Sequence, residues 1–276
     1  MTSQVQERVP VFGGLLVSQA VSAANATVPG TFQVFSSQSS FLSPANAREK
    51  VFYRVDRTFD GRSYATRVVR ATQSDTCIYA AIISYQAING NGGNVLQYGS
   101  PLPDLDGCGP DDIDPEAIQT LQTDVVDRST PIMQLSAEDR PCDWRPLGME
   151  ISEDPSQFWL RGFVRSPPLS TDNPFVHLAA LAHMSDEFSF GPALAANPMS
   201  LGKGLRNISM ATSLTHNVSF HDPHVKVDEW IVLERRTSWG NEGRVLVSQK
   251  MWSLESGRLV MSGTQEALIR LKGVKL

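Results

Sequence analysis

The amino-acid sequence predicts an α+β fold made of two copies of one unit, a helix covered by an antiparallel sheet. Residues 13–27 show helical periodicity and are followed by four strand-like segments. Residues 174–188 show the same periodicity, and four further strand-like segments follow them. Between the two copies, apolar periodicity is poor and Asn, Gly, Pro and Asp are dense, which is typical of a linker.

Bulk composition narrows the classes of function. The chain has 276 residues, 41% of them apolar and 19% charged, which are values of a globular protein with a sizeable core. A formal net charge of −5 and the absence of a basic stripe argue against a nucleic-acid partner. Cys77, Cys108 and Cys142 are far apart and form no cluster with His, so we expect free thiols, no metal and no cofactor.

The two ends of the sequence carry little sign of a targeting signal. Residues 1–10 are polar and lack the apolar core of a signal peptide, and residues 15–24 are too short and mixed to span a membrane. We therefore predict an intracellular, cytoplasmic protein without membrane insertion. The final Val274-Lys275-Leu276 resembles the peroxisomal Ser-Lys-Leu address, except that Val274 replaces the small residue.

The first copy is predicted to occupy residues 1–86. Its helix is rich in Ala and Ser, so strands can approach it closely, and Pro29-Gly30 ends it. Asp60-Gly61 is a strong hairpin turn between the second and third strands. The four predicted strands cover residues 32–42, 50–59, 64–71 and 77–85, and we expect them to pair consecutively as a meander.

The predicted linker covers residues 87–140, with one short helix at 115–126, and the second copy covers 141–276. In the second helix, Asp172 or Asn173 can act as the N-cap and Pro174 occupies the first turn. The strands of this copy are predicted at residues 142–151, 157–165, 213–220, 229–236, 244–253 and 258–269.

Short motifs spread over nearly the whole chain accompany this pattern. They are Val11-Phe12-Gly13-Gly14, Ser40-Phe41-Leu42-Ser43-Pro44, Asp60-Gly61-Arg62-Ser63-Tyr64, Met184-Ser185-Asp186, Thr215-His216, Asp228-Glu229-Trp230 and Gly263-Thr264-Gln265-Glu266. Together they resemble the type II (TesB-like) acyl-CoA thioesterases. That resemblance implies a double hotdog, in which the two sheets join into one, and a role in lipid metabolism or biosynthesis.

The resemblance implies hydrolysis of acyl-CoA or related acyl thioesters by a water that an Asp, a Thr or Ser, and a Gln hold and activate. Carried over by position, the Gln is Gln265. The hydroxyl residue is Thr237 or Ser238, because a one-residue length difference leaves the register open. The Asp position is occupied by Thr215, which cannot act as a base near neutral pH. Loss of a general base typically costs about 10²- to 10⁴-fold in rate.

Further candidates for the site lie close to these positions. Neighbouring residues of a strand face opposite sides, so if Thr215 faces the water site, His216 faces away from it. Asp186 at the end of the second helix is a candidate for the surviving carboxylate. Gly13 and Gly14 begin the first helix, where backbone N–H groups can polarise a thioester carbonyl, or where glycine permits close packing.

Three classes of function remain open from the sequence. The first is a thioesterase with a rebuilt site, acting on a small-molecule acyl thioester. The second is a dehydratase, isomerase or cyclase of the same fold acting on a polyketide-like intermediate, since fold does not fix function. The third is a non-catalytic acyl-binding protein. Hotdog proteins associate through sheet edges and faces, so both a monomer and a homo-oligomer are compatible with the sequence.

Overall fold

A computed structural model describes residues 9–88, 95–113, 141–150, 152–197, 200 and 206–273. Across these residues, all named strands belong to one antiparallel sheet that carries helices on one face. The helices are α1 (Gly13–Asn25), α2 (Pro174–Asp186) and α3 (Gly191–Ala195). The strands are β1 (Phe32–Phe41), β2 (Phe52–Asp60), β3 (Tyr64–Gln73), β4 (Thr76–Ala87), β5 (Asp143–Glu150), β6 (Trp159–Arg165), β7 (Ile208–Phe220), β8 (Ile231–Asn241), β9 (Arg244–Ser253) and β10 (Leu259–Leu271).

The strand order confirms the double hotdog and corrects the predicted meander. The order across the sheet is β2-β3-β4-β1-β7-β10-β9-β8-β6-β5. Strand β1 pairs with β4 and β7 and not with β2, so only β2, β3 and β4 form a meander. Strands β7 to β10 repeat the order of β1 to β4. The two copies meet where β1 and β7 pair, from Ser36↔Ser219 to Ser40↔Thr215. This central position places both edges of β1 in the sheet, where its backbone groups are paired.

The core lies between the two helices and the inner face of the sheet. The buried side of α1 is made of Leu16, Val17, Ala20, Val21 and Ala24. The same core includes Leu178, Leu181 and Ala182 of α2, as the helical periodicity predicted. Small side chains on α1 let strands and α2 come close, so two helices fit beneath one curved sheet. None of the helices in the described ranges is long and apolar enough to cross a bilayer.

The ends of α2 determine where its last side chains point. Asn173 is the N-cap, and its Oδ1 accepts a 3.0 Å hydrogen bond from the Phe175 N–H. The helix ends at Asp186, two residues before the predicted end, because the next residue, Glu187, is extended with a φ of −67° and a ψ of 122°. The short helix α3, which the sequence did not predict, follows directly.

Part of the predicted linker packs on the outer face of the sheet. Leu102, Leu105 and Ile113 contact a second apolar cluster centred on Phe163 and Trp252. The helix predicted at residues 115–126 lies outside the described residues. The predicted domain boundaries at residues 86 and 140 therefore stay predictions.

Candidate active site

A buried carboxylate–amide pair lies where the end of α2 meets the middle of the sheet. Asp186 is 5% exposed, and its Oδ1 accepts a 2.7 Å hydrogen bond from Nε2 of Gln265. The same Nε2 donates a 2.7 Å hydrogen bond to Oγ of Ser213. Three elements, α2, β10 and β7, thus bring Asp186, Gln265 and Ser213 into one hydrogen-bonded group.

The local geometry of β7 explains how Ser213 reaches this group. Gln265 pairs directly with His216, and both side chains face the helices. Strict alternation would turn Ser213, three positions earlier, to the opposite face. Leu214, however, has no partner on β10, because Glu266 pairs with Thr215 and Ala267 pairs with Ser213. This unpaired residue forms a β-bulge, which returns the Ser213 side chain to the inner face of the sheet.

The two glycines at the start of α1 allow that helix to approach Asp186. A Cβ atom on Gly13 would lie 2.6 Å from Oδ2 of Asp186, and one on Gly14 would lie 2.6 Å from the His183 carbonyl oxygen. The Gly14 N–H donates a hydrogen bond to the Asp186 carboxylate. The structure therefore directs this N–H of the helix N-terminus at a carboxylate of the protein itself.

The electrostatic environment gives Asp186 an unusual acidity. Burial raises the pKa of Asp186 to about 6, against an ordinary value of 3.8. The Gln265 amide, the Arg235 charge and the Gly14 N–H oppose this increase by stabilising the ionised form. A carboxyl group with a pKa near the working pH can both accept and release a proton, as a general base must.

A cavity of about 980 Å³ opens beside this pair. Asp186, Ser213, Gly13 and His183 contribute to its wall, together with Glu187. Most of the remaining wall is apolar: Val11, Phe12, Leu16, Phe41, Leu42, Phe188, Phe190, Leu194, Met210 and Leu214. An apolar cavity with a few convergent polar groups is the usual form of a small-molecule site.

His216 is a neutral, packed side chain. Its Nε2 donates a 3.0 Å hydrogen bond to Ser185 Oγ, whose own hydrogen goes to the Ala182 carbonyl oxygen at 2.8 Å. Burial, with a contribution from the charge of Arg235, lowers the pKa of His216 to about 4. Thr215 and His216 face opposite sides of β7, as alternation requires, and the side that faces the helices is that of His216. Its ring nevertheless contacts Ser185 and does not line the cavity.

The other predicted positions lie further from the pair. Thr215 Oγ1 accepts a 3.3 Å hydrogen bond from the Glu266 N–H, and its side chain does not line the cavity. Thr237 is buried and donates to the Leu246 carbonyl oxygen at 3.3 Å, whereas Ser238 is exposed. Strand β9 separates Thr237 from Gln265. The structure thus brings Asp186 and Gln265 together, but neither Thr215 nor Thr237 with them.

Sequence reasoning missed Ser213, Arg235 and Gln249. Ser213 stood at the start of a predicted strand, but its role depends on the bulge at Leu214. Arg235 and Gln249 lie in predicted strands, and nothing in the local pattern indicates that both are buried.

Comparison with known families agrees with this architecture. Residues 5–86 match a family model described as the acyl-CoA thioesterase N-terminal domain, and residues 111–269 match the acyl-CoA thioesterase C-terminal domain. The chain belongs to the acyl-CoA thioesterase family.

Individual relatives and a solved structure resemble the chain over most of its length. Acyl-coenzyme A thioesterase 8 of Homo sapiens is 26% identical over 275 residues, covering 95% of this chain and 81% of the relative. The peroxisomal acyl-coenzyme A thioester hydrolase 1 of Saccharomyces cerevisiae is 27% identical, covering 94% and 85%. The acyl-CoA thioesterase II TesB2 from Mycobacterium marinum superposes with a TM-score of 0.76 at 24% identity, covering 95% and 90%.

Proposed function

We propose that this protein hydrolyses acyl-CoA or related acyl thioesters and that Asp186 is the general base. The strongest support is the buried Asp186 carboxylate, held by Gln265 at 2.7 Å in the wall of an apolar cavity. The family to which the chain belongs and the names of its relatives agree with this substrate class.

The chemistry requires one proton acceptor and a positioned water. Water attacks the thioester carbonyl carbon, and Asp186 takes the proton that the water loses. The carbon–sulfur bond then breaks, the leaving thiolate takes the proton back from Asp186, and the carboxylic acid that is formed releases its own proton to solvent and leaves as a carboxylate. Gln265 orients Asp186 in this scheme, since its Nε2 donates to both Asp186 and Ser213. No covalent intermediate with the protein is needed.

The cavity supports an apolar acyl group. Four phenylalanines line it: Phe12, Phe41, Phe188 and Phe190. Burying each methylene of an acyl chain against such a wall contributes about 0.8 kcal/mol. We therefore expect kcat/KM to rise with chain length until the cavity is filled.

A thiol-release assay over acyl-CoAs of increasing chain length tests this function. Wild type is compared with Asp186→Asn and with Ser170→Ala, whose side chain is exposed and outside the cavity. We expect release in wild type and in Ser170→Ala and its loss in Asp186→Asn. No release from any thioester would overturn hydrolysis.

One observation favours the non-hydrolytic alternative. His183 lines the same cavity as Asp186, so an imidazole and a carboxyl group are available to one bound molecule. Such a pair can move a proton in dehydration of a hydroxyacyl thioester. The reverse reaction, hydration of an enoyl thioester, can be monitored directly through the loss of the enoyl absorbance. Turnover there without thiol release would favour the dehydratase function.

We further propose a reducing compartment inside the cell. The described cysteines, Cys77, Cys108 and Cys142, are all unpaired. One relative is named as peroxisomal, which makes the peroxisome a second candidate beside the cytoplasm. Microscopy of an N-terminal fluorescent fusion together with a peroxisomal marker separates the two.

A further inference from the structure

We propose that Arg235, together with Gln249, positions Asp186 for the reaction proposed above by clamping the carbonyl groups on either side of it. This inference rests on the proposed function, because Asp186 is the group whose placement would matter for catalysis.

The guanidinium of Arg235, on strand β8 of the sheet, binds the C-terminal end of α2. The side chain is 3% exposed. Nη2 donates a 3.1 Å hydrogen bond to the Ser185 carbonyl oxygen, and Nη1 donates to the Glu187 carbonyl oxygen. These two carbonyls belong to the residues directly before and after Asp186. A planar fork with fixed donors suits such a pair of acceptors.

Gln249 completes the clamp from the next strand. It pairs with Arg235 in the β8–β9 register and is also buried. Its Oε1 accepts a 3.2 Å hydrogen bond from Nε of Arg235, and its Nε2 donates a 2.9 Å hydrogen bond to the Ser185 carbonyl oxygen. The last carbonyls of a helix have no partner within the helix, so these sheet side chains satisfy them.

The charge of Arg235 adds a second effect at the same place. Burying a guanidinium carries a large desolvation cost, which a neutral donor to the same carbonyls would avoid. A cation near the C-terminus of a helix interacts favourably with the helix dipole and with a neighbouring carboxylate. Arg235 remains cationic near neutral pH, since burial lowers its pKa only to about 10. The charge thus stabilises ionised Asp186.

Several titratable groups surround the end of α2 and share this environment. Besides Arg235 on β8, they are His183 in the last turn of α2, Glu187 directly after it, Tyr79 on β4, His216 on β7, and Cys142, which precedes β5 and interacts with Glu187. Tyr79 and His216 are neutral near pH 7, because burial raises the pKa of Tyr79 and lowers that of His216. Glu187 and Asp186 both favour the charged form of Arg235.

The titration of Asp186 tests the clamp without relying on turnover. The carboxyl carbon signal is followed by NMR in the full chain and assigned by its loss in Asp186→Asn. Arg235→Met should raise the titration midpoint of Asp186 by about one pH unit, as expected when a nearby opposite charge is removed. Arg236→Met is the control, because Arg236 is exposed and binds Glu234 instead. It should leave the midpoint unchanged.

The pH profile of kcat/KM gives the catalytic readout. In Arg235→Met the acid limb of the kcat/KM profile should shift to higher pH by the same amount as the Asp186 midpoint, and kcat should fall. Arg235→Lys keeps the charge but not the fork, so it should restore the acid limb while kcat stays below wild type. An unchanged midpoint and an unchanged kcat in Arg235→Met would overturn the proposal.

A second variant covers the case in which Arg235→Met does not fold. Gln249→Glu places a carboxylate beside the guanidinium and offsets its charge, so the Asp186 midpoint should rise here as well. A midpoint equal to wild type in this folded variant also overturns the proposal. Absence of thiol release in wild type counts against the proposed function alone. Release with unchanged midpoint and kcat in the variants counts against Arg235 alone.

Discussion

Nε2 of Gln265 lies 2.7 Å from Oδ1 of Asp186 and joins the middle of β10 to the last residue of α2, 79 positions apart in the chain. Both residues are at least 95% buried, so the hydrogen bond forms away from bulk water, where it is strong. It holds the carboxylate in one orientation at the cavity wall. The predictions below follow from this pair and its neighbours.

Replacing the carboxyl group of Asp186 should remove the proton acceptor while preserving side-chain volume. We expect Asp186→Asn to lower kcat/KM by about 10²- to 10⁴-fold, the usual contribution of a general base. Steady-state thiol release measures the effect, and circular dichroism confirms that the variant folds. Wild-type activity in Asp186→Asn would exclude Asp186 as the base.

Removing the side-chain amide of Gln265 should inactivate the site, because Asp186 would lose the hydrogen bond that orients its carboxylate. We expect Gln265→Ala to abolish activity and to raise the pKa of Asp186, because an N–H donor to the ionised form is lost. Gln38→Ala is a matched control, since Gln38 is exposed on the opposite face of the sheet. Full activity in Gln265→Ala would remove Gln265 from the site.

The acidity of Asp186 predicts the pH dependence of the reaction. Burial raises the pKa of Asp186 to about 6, and only the ionised form accepts a proton. We therefore expect kcat/KM to increase as pH rises through about 6 and then to level off. A profile over pH 4.5 to 8 measures it. A profile that is flat across this range would contradict the assignment.

The same shift predicts how folding stability depends on pH. The pKa of Asp186 is about 6 in the folded protein, above its ordinary value of 3.8, so the folded state holds this proton more tightly. This contribution is present below about pH 4 and is lost as pH rises through about 6, a change on the order of 2 to 3 kcal/mol. Unfolding of wild type and Asp186→Asn by urea at pH 4 and pH 8 gives the difference.

Comparing with Asp186→Asn is necessary because His216 acts with the opposite sign. Burial lowers the pKa of His216 from 6.5 to about 4, so its contribution is present above about pH 6.5 and is lost as pH falls through about 4. Both proteins contain His216, and its effect cancels in their difference. The wild type should lose stability relative to the variant as pH rises. An equal difference at both pH values would contradict the prediction.

Thr215→Asp distinguishes two sites for the base. The family resemblance predicts a gain in thioesterase activity if only the carboxylate of β7 is missing. In the structure Thr215 Oγ1 faces the Glu266 N–H and not the cavity, so we expect no gain. Thiol release by the variant measures this. An increase above wild type would place a second productive carboxylate on β7.

Most of the secondary structure can be predicted from the sequence, because side-chain periodicity and turn residues are local features of the chain. Helix α1 was expected from its small-residue periodicity and began at the predicted residue, Gly13. Strand β9 matched its predicted span of residues 244–253, because alternating side chains and flanking turns bound it clearly. The place of β1 between β4 and β7 was missed, since pairing partners are decided by long-range contacts that leave no local pattern.

At the site, the order of residues along the chain is enough to show which chemical groups are present: a Gln in a strand, a carboxylate at a helix end, and Thr215 where the family resemblance expects an Asp. Which of these groups meet depends on how the helices and strands pack. The bulge at Leu214 exists because β7 pairs with β10, and it turns Ser213 and His216 to one face. Arg235 can be buried because carbonyls from a helix end fifty positions away in the chain accept its hydrogen bonds. Alternation within one strand carries no information about such partners, because they are supplied by the packing of distant segments.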